Sequence, residues 1–259
     1  MVERLDRFWR IVATGFCFVV FGVGALLLHG LLFPLFALMP WSRTRRQTIS
    51  RDVIHYALRG FLWLMAALGV IQYECRNVDR LRRAGLLIVA NHPSLIDAVF
   101  LMALTRGADC VVKAELASNP FTRGTVRATG WIRNDCGGAA MVDDCIASLR
   151  AGSSLIIFPE GTRTRPGEPP RLQRGAANVA VRGGFDLTPV VIRCEPPTLT
   201  KGEKWYRVPP RRPRFVIDVH PDLEVAQWVP DGIEAVQAVR RLTHSLSDYF
   251  SREIRRESA

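Results

Sequence analysis

The most apolar stretch of the chain comes first. Residues 11–40 carry no formally charged side chain, and as a helix they are long enough to cross a hydrocarbon core of about 30 Å. The run exceeds the apolar region of a cleaved signal and no small-residue cleavage site follows, so it reads as retained. Gly22, Gly24, Gly30 and Pro34 lie inside it and could let it bend back to the side it started from. Residues 53–70 form a second apolar stretch, interrupted by Arg59, as in a helix lying along an interface with its arginine reaching outward. Arg4, Arg7 and Arg10 precede the first run, and Arg43, Arg45, Arg46 and Arg51 follow it. Cytosolic placement of both basic flanks favours a hairpin or re-entrant pair of helices over a single span or a buried soluble pair. Residues 1–70 are therefore expected to be a helical membrane anchor.

From residue 71 short apolar runs alternate with helical periodicity. Strands are expected at 86–90, 109–113, 131–133, 154–158, 187–193 and 215–219. Helices are expected from Ser94 to about Thr105, at 121–129, 138–150 and 174–182, and along a face marked by Ile233, Val236, Val239, Leu242, Leu246 and Tyr249. This alternation predicts an α/β domain over 71–250, with a partly parallel central sheet flanked by helices, and a polar, frayed tail over 251–259. The stretch VPPRRPRF at 208–215 reads as an exposed loop or an approach to an edge strand. In such a sheet, chemistry gathers in loops at the carboxyl ends of strands.

Composition adds a partner. The formal charge is +11, and a basic surface suits nucleic acid or anionic lipid. The apolar N-terminus favours anionic membrane lipids. No reading helix and few aromatics interleaved with basic residues argue against nucleic acid and against a non-catalytic adaptor. Cys17, Cys75, Cys110, Cys136, Cys145 and Cys194 are scattered without a C-x-x-C pair. They read as buried thiols of a part facing a reducing cytosol, with no structural zinc implied.

Two strand ends carry unusual polar residues. After 86–90 comes NHPSLID. Ser94 is placed to cap a helix, with Asp97 completing a capping box; that explains Ser94 well and His92 hardly at all. His92 sits in the turn, where its ring can fold over the first helical turn and donate Nδ1–H to Asp97. This fixes the tautomer and leaves Nε2 as a base. After 154–158 comes Pro159-Glu160-Gly161-Thr162-Arg163. Gly161 permits a special backbone angle, Arg163 can grip phosphate oxygens, and Glu160 can orient Arg163 or accept from a substrate hydroxyl. Arg165, Arg171 and Arg174 extend a positive zone.

Asn91-His92-Pro93-Ser94-Leu95-Ile96-Asp97 and Phe158 through Arg163 together resemble two motifs of the glycerolipid acyltransferase family, N-H-x-S-x-x-D and F-P-E-G-T-R. Lys113, Pro120 and Gly130-Trp131-Ile132-Arg133 are similar to its second region, and Thr188-Pro189-Val190-Val191 to its fourth; the likeness spans roughly residues 70–220. The resemblance implies an enzyme with His92 as general base and Asp97 as its partner. Glu160, Gly161, Thr162 and Arg163 would bind the acceptor, Arg133 would be a secondary contact, and Lys113 would line the site. The donor would be acyl-CoA or acyl-carrier protein, with no cofactor and no metal. The acceptor would be a lysophospholipid, foremost 1-acyl-sn-glycerol-3-phosphate, or else another lyso-lipid such as an acylated amino-acid lipid. The chain would lie on the bacterial inner membrane, its catalytic domain in the cytosol. A thioester is already activated, so a base and a positioned alcohol can suffice. The developing oxyanion still needs a donor, and backbone N–H groups near Gly161 are the candidates. A hydrolase with Ser94 as nucleophile is the competing reading; Ser94 lacks the G-x-S-x-G elbow.

Overall fold

The structure, a computed structural model, describes residues 2–119, 122–134, 138–229 and 233–256. Seven strands form one sheet: β1 (Gln72–Arg76), β2 (Leu87–Ala90), β3 (Asp109–Lys113), β4 (Ile132–Asn134), β5 (Leu155–Ile157), β6 (Leu187–Glu195) and β7 (Arg214–Val219), in the order β1-β7-β6-β2-β5-β3-β4. The five from β6 to β4 run parallel; β7 is antiparallel to β6, and β1 is parallel to β7. The expected partly parallel sheet is present. β1 was not anticipated, because QYECR is a half-exposed edge strand with no apolar run.

The central strands are apolar throughout because helices cover both faces. Along β2, Ile88 and Ala90 join one buried cluster and Leu87 and Val89 the other, as a period of two requires. The first cluster lies under α3 (Arg43–Ala67), α4 (Asp97–Leu104) and α6 (Arg123–Thr129), with the short α5 (Ala114–Ser118) leading into α6. The second lies under α7 (Gly138–Arg150), α8 (Gly175–Gly183) and α9 (Ala235–Arg256). On α9 the buried face is Ala238, Val239, Leu242, Leu246 and Phe250, while Val236 is exposed; the expected stripe is rotated towards Phe250. The helix continues to Arg256, so the segment expected to fray from 251 is helical that far.

The N-terminal run does not fold back at its glycines. α1 (Val2–Leu27) continues through a π-helical turn, Leu28–Leu32, into α2 (Phe33–Leu38). Pro34 lacks an N–H and crowds the preceding turn, and the wider π turn absorbs the mismatch. The 35-residue run Arg4–Leu38 is long and apolar enough to cross a membrane by length and composition. The chain reverses at Met39–Trp41, Ser42 caps α3 by accepting from Arg45 N–H at 3.2 Å, and α3 returns alongside α1. Arg59 on α3 is exposed, as expected.

These helices share the core of the sheet. Ala13 and Cys17 of α1 and Leu62 and Met65 of α3 belong to the same buried cluster as Ile88, Val190 and Phe215, so position 70 is no boundary in packing. Two arginines of the basic flanks, expected on the cytosolic side, are pulled inward. Arg10 is 1% exposed and donates to the carbonyls of Pro209, Pro210 and Arg211. Arg51 pairs with buried Asp109 at 2.9 Å. The stretch from 208 is correspondingly tied down, with Arg7 donating to Val208 O and Arg212 to Ala66 O and Ile71 O. Five of the six cysteines are free thiols, Cys17, Cys110 and Cys145 fully buried and Cys75 and Cys194 half-buried. Cys136 lies outside the described residues, as does Pro120.

Candidate active site

Parallel pairing sends the carboxyl ends of β2, β5, β3 and β4 to one edge of the sheet. His92 follows β2, the segment from Phe158 follows β5, Lys113 ends β3, and Arg133 lies in β4. All the sequence-derived candidates therefore share that edge, though not one contact sphere. At about 4.8 Å between neighbouring strands, β3 lies about 10 Å and β4 about 14 Å from β2. Lys113 and Arg133 are exposed at these distances, suited to a remote part of a long substrate rather than to the reacting atoms.

The turn after β2 is held from three sides. Asn91, buried just beyond the strand, extends the ladder with its side chain: Nδ2 donates to Ile192 O at 2.8 Å and Oδ1 accepts from Ile192 N–H at 2.7 Å. His92 N–H donates to Glu160 Oε1 at 2.8 Å, and Thr164 N–H donates to His92 O at 3.1 Å. Leu95 N–H donates to Leu199 O at 3.1 Å.

Within this turn, His92 Nδ1 lies 2.9 Å from Asp97 Oδ2. A carboxylate can only accept here, so Nδ1 carries the hydrogen and Nε2 has its lone pair free. Nε2 has no partner among the described residues, and the side chain is 19% exposed. Phe158 supports the ring from below, stacked with centroids 4.3 Å apart. Asp97 is fully buried and accepts two further bonds, from Ser94 N–H at 2.6 Å and Ser94 Oγ at 2.7 Å. Burial pushes its carboxyl above the usual carboxylate range, against the bonds from His92 and Ser94 that favour its charge.

Ser94 is therefore not the cap of α4. That helix starts at Asp97, one turn later than expected, with Ile96 at its N-cap and no side-chain cap. Both polar groups of Ser94 turn to Asp97, and its hydroxyl accepts only a long bond of 3.3 Å from Ile96 N–H. The reciprocal contact of a capping box survives, but it orients the carboxylate.

Glu160 also differs from expectation. It is 5% exposed and holds the main chain of His92 and the hydroxyl of Thr164, rather than orienting Arg163 or facing a substrate hydroxyl. Burial raises its carboxyl, with the bonds from Thr164 and His92 opposing. Gly161 adopts φ +66°, the left-handed conformation that makes glycine useful there. Its N–H donates to Phe158 O at 3.0 Å and is not free for an oxyanion. Thr162 is half-buried beside it. Arg163 directs Nη1 to Leu199 O at 2.9 Å and Thr200 O at 3.1 Å, which ties the segment to the loop after β6. Arg165, Arg171 and Arg174 are exposed nearby in sequence. Among the described residues no group of three or more His, Cys, Asp or Glu side chains is placed to hold a metal ion.

The roles of Asn91, Phe158, Thr164 and the Leu199–Thr200 carbonyls were not legible in the sequence. Asn91 carried one signal, a polar residue continuing a fully buried strand; the others act through partners remote in sequence or through the main chain.

Residues 72–193 match the family model described as Acyltransferase. The chain is 27% identical over 148 residues to the 1-acyl-sn-glycerol-3-phosphate acyltransferase of Pseudomonas aeruginosa, taking in 54% of this chain and 56% of that one. It is 35% identical over 112 residues to the protein of the same name from Helicobacter pylori, covering 41% and 47%. To the lyso-ornithine lipid O-acyltransferase of P. aeruginosa it is 31% identical over 170 residues, covering 64% and 65%. The chain thus spans about half to two thirds of the length of these relatives. Among solved structures, the crystal structure of the 1-acyl-sn-glycerophosphate (LPA) acyltransferase from Thermotoga maritima has the same fold, with a TM-score of 0.69 over 98% of both chains at 17% identity.

Proposed function

We propose that the chain is a glycerolipid acyltransferase, a reading supported by its match to the Acyltransferase family model and by its relatives, and that it moves a fatty acyl group from a thioester to the free hydroxyl of a membrane lyso-lipid. The preferred acceptor is 1-acyl-sn-glycerol-3-phosphate, which would become phosphatidic acid; the donor is acyl-CoA or acyl-carrier protein. The observation that carries this reading is the 2.9 Å His92–Asp97 contact with Nε2 unengaged at the carboxyl edge of the sheet.

In this mechanism the acceptor hydroxyl gives its proton to His92 Nε2 as its oxygen attacks the thioester carbonyl. Asp97 holds the tautomer beforehand and steadies the imidazolium afterwards. The tetrahedral intermediate collapses by breaking the C–S bond, and the imidazolium proton goes to the departing sulfur. No acyl-enzyme is needed, and Ser94 is a poor nucleophile: its hydroxyl is fully buried and its hydrogen is held by Asp97. Arg163 keeps Nε and Nη2 for an acceptor phosphate while Nη1 braces the loop.

The chain attaches to an anionic bilayer at the cytosolic face of the inner membrane. It does so through an exposed apolar stripe on α1 that includes Leu5, Phe8, Val12, Phe16, Val19 and Val23.

A second acceptor, an acylated amino-acid lipid, is supported by one observation: a relative 31% identical over 170 residues is named a lyso-ornithine lipid O-acyltransferase. Purified protein offered a panel of lyso-acceptors with each thioester donor separates the two. With a phosphate acceptor, Arg163→Ala raises KM most for phosphate-bearing members of the panel. An equal rise for all acceptors would assign Arg163 a bracing role alone.

A further inference from the structure

We propose that the loop between β6 and β7 is a second membrane-docking element, built for an anionic lipid surface and fixed to the catalytic turn. The proposal rests on the membrane attachment inferred above and adds to it where the catalytic edge meets the lipid.

The loop leaves the carboxyl end of β6, the edge that carries His92. Its tip reads Lys201-Gly-Glu-Lys-Trp-Tyr-Arg207. Trp205 and Tyr206 are adjacent in sequence and 45% and 46% exposed. Side by side on a solvated loop they would have nothing to offset their apolar exposure, whereas a bilayer interface takes both rings and their polar tips. Lys201, Lys204 and Arg207 are exposed around them, with Lys204 Nζ 5.6 Å from the Tyr206 ring centre. Glu203, the one acid of the tip, is half-buried and turned to Thr200 Oγ1 at 3.1 Å. The outward face is therefore aromatic and cationic, complementary to anionic headgroups.

The tip continues the surface of α1. Trp205 packs against Gly15, where ring atoms lie 3.2 Å from the place a Cβ would occupy, and against the Phe18 ring at 5.8 Å. Gly15 is one turn from Val12 and Val19, both on the exposed apolar stripe. The loop is also pre-formed: Arg7 and Arg10 reach from α1 to the carbonyls of 208–211, which lowers the ordering cost of docking. At its base, Leu199 O accepts from both Leu95 N–H and Arg163. Leu95 is itself 45% exposed within the catalytic turn. Seating the tip in headgroups thus sets the height of His92 above the lipid from which the acceptor hydroxyl must rise.

Flotation of the full chain with phosphatidylglycerol-rich and with pure phosphatidylcholine vesicles tests this. Each lysine near an anionic surface contributes about fivefold to partitioning. Lys201→Gln with Lys204→Gln is therefore expected to lower binding to phosphatidylglycerol vesicles by roughly 10- to 30-fold at low salt and to leave phosphatidylcholine binding unchanged. Trp205→Ser with Tyr206→Ser lowers binding to both. The lysine pair is exposed, so its replacement keeps the fold even where loss of Trp205 loosens the contact with α1. Wild-type flotation with both double variants floating equally well overturns the docking role of the loop. Failure of the wild-type chain to float on either vesicle overturns membrane attachment itself, and this proposal with it.

Discussion

Replacing Ser94 with alanine removes a buried hydroxyl that donates to Asp97 Oδ1 at 2.7 Å and accepts from Ile96 N–H at 3.3 Å. A bond to a charged group contributes about 1.5–3 kcal/mol, and the long second bond adds little. A loss of about 2–3 kcal/mol corresponds to a fall in Tm of roughly 4–12 °C for a chain of this size. Catalysis should suffer much less. Asp97 Oδ2 keeps His92 Nδ1 at 2.9 Å and the main-chain N–H of residue 94 at 2.6 Å, neither of which depends on the hydroxyl. The imidazole stays aimed, and kcat/KM for acyl transfer should remain within about tenfold of wild type. A serine nucleophile would instead cost on the order of 10⁶-fold. Initial rates with a radiolabelled thioester, read beside thermal melts, separate the two. A loss beyond a thousandfold with Tm almost unmoved, or acyl label trapped on Ser94 of the wild-type protein, would refute the direct mechanism.

Asp97→Asn should lower kcat by about 10⁴-fold, because an amide can donate to Nδ1 and so select the wrong tautomer; steady-state kinetics that leave kcat intact would remove the orienting role. Glu160 has a carboxyl raised by burial, so its ionised form costs the folded state, and the wild-type protein loses stability relative to a non-titrating residue as pH rises through the folded pKa. The Tm advantage of Glu160→Gln should therefore grow from pH 4 to pH 8, and melts in which it shrinks would contradict the assignment. Arg10→Met should destabilise by about 1–3 kcal/mol, since three loop carbonyls lose a buried donor. It should also speed amide exchange over residues 207–212; unchanged exchange there would show that the arginine does not hold the loop.

The parts of this molecule that are local in sequence were legible in it. β2 and β5 are buried on both faces, so their residues form unbroken apolar runs, and the polar segments that follow them stand out. His92 and Asp97 lie within one turn, so their contact could be reasoned from spacing. β1 was invisible because an edge strand exposes half its residues. The start of α4 was misplaced because Ser94 satisfies a carboxylate instead of a helix end. Arg10 read only as part of a basic cytosolic flank because its partners lie about 200 residues further on. Gly22, Gly24 and Gly30 looked like hinges, yet the π turn at Leu28–Leu32 accommodates Pro34 without reversing the chain. Thr164 and Leu199 gave no signal, since they act through a hydroxyl on buried Glu160 and a main-chain carbonyl.

The central claim is that His92 takes the proton of a lyso-lipid hydroxyl as it attacks a thioester. Its most direct test is transfer of labelled acyl groups to 1-acyl-sn-glycerol-3-phosphate by the purified chain and by His92→Ala, both bound to the same vesicles. Labelled diacyl product is expected from the wild-type chain, with a loss of at least a thousandfold in the variant and vesicle binding unchanged. Substantial transfer by His92→Ala would rule out His92 as the base.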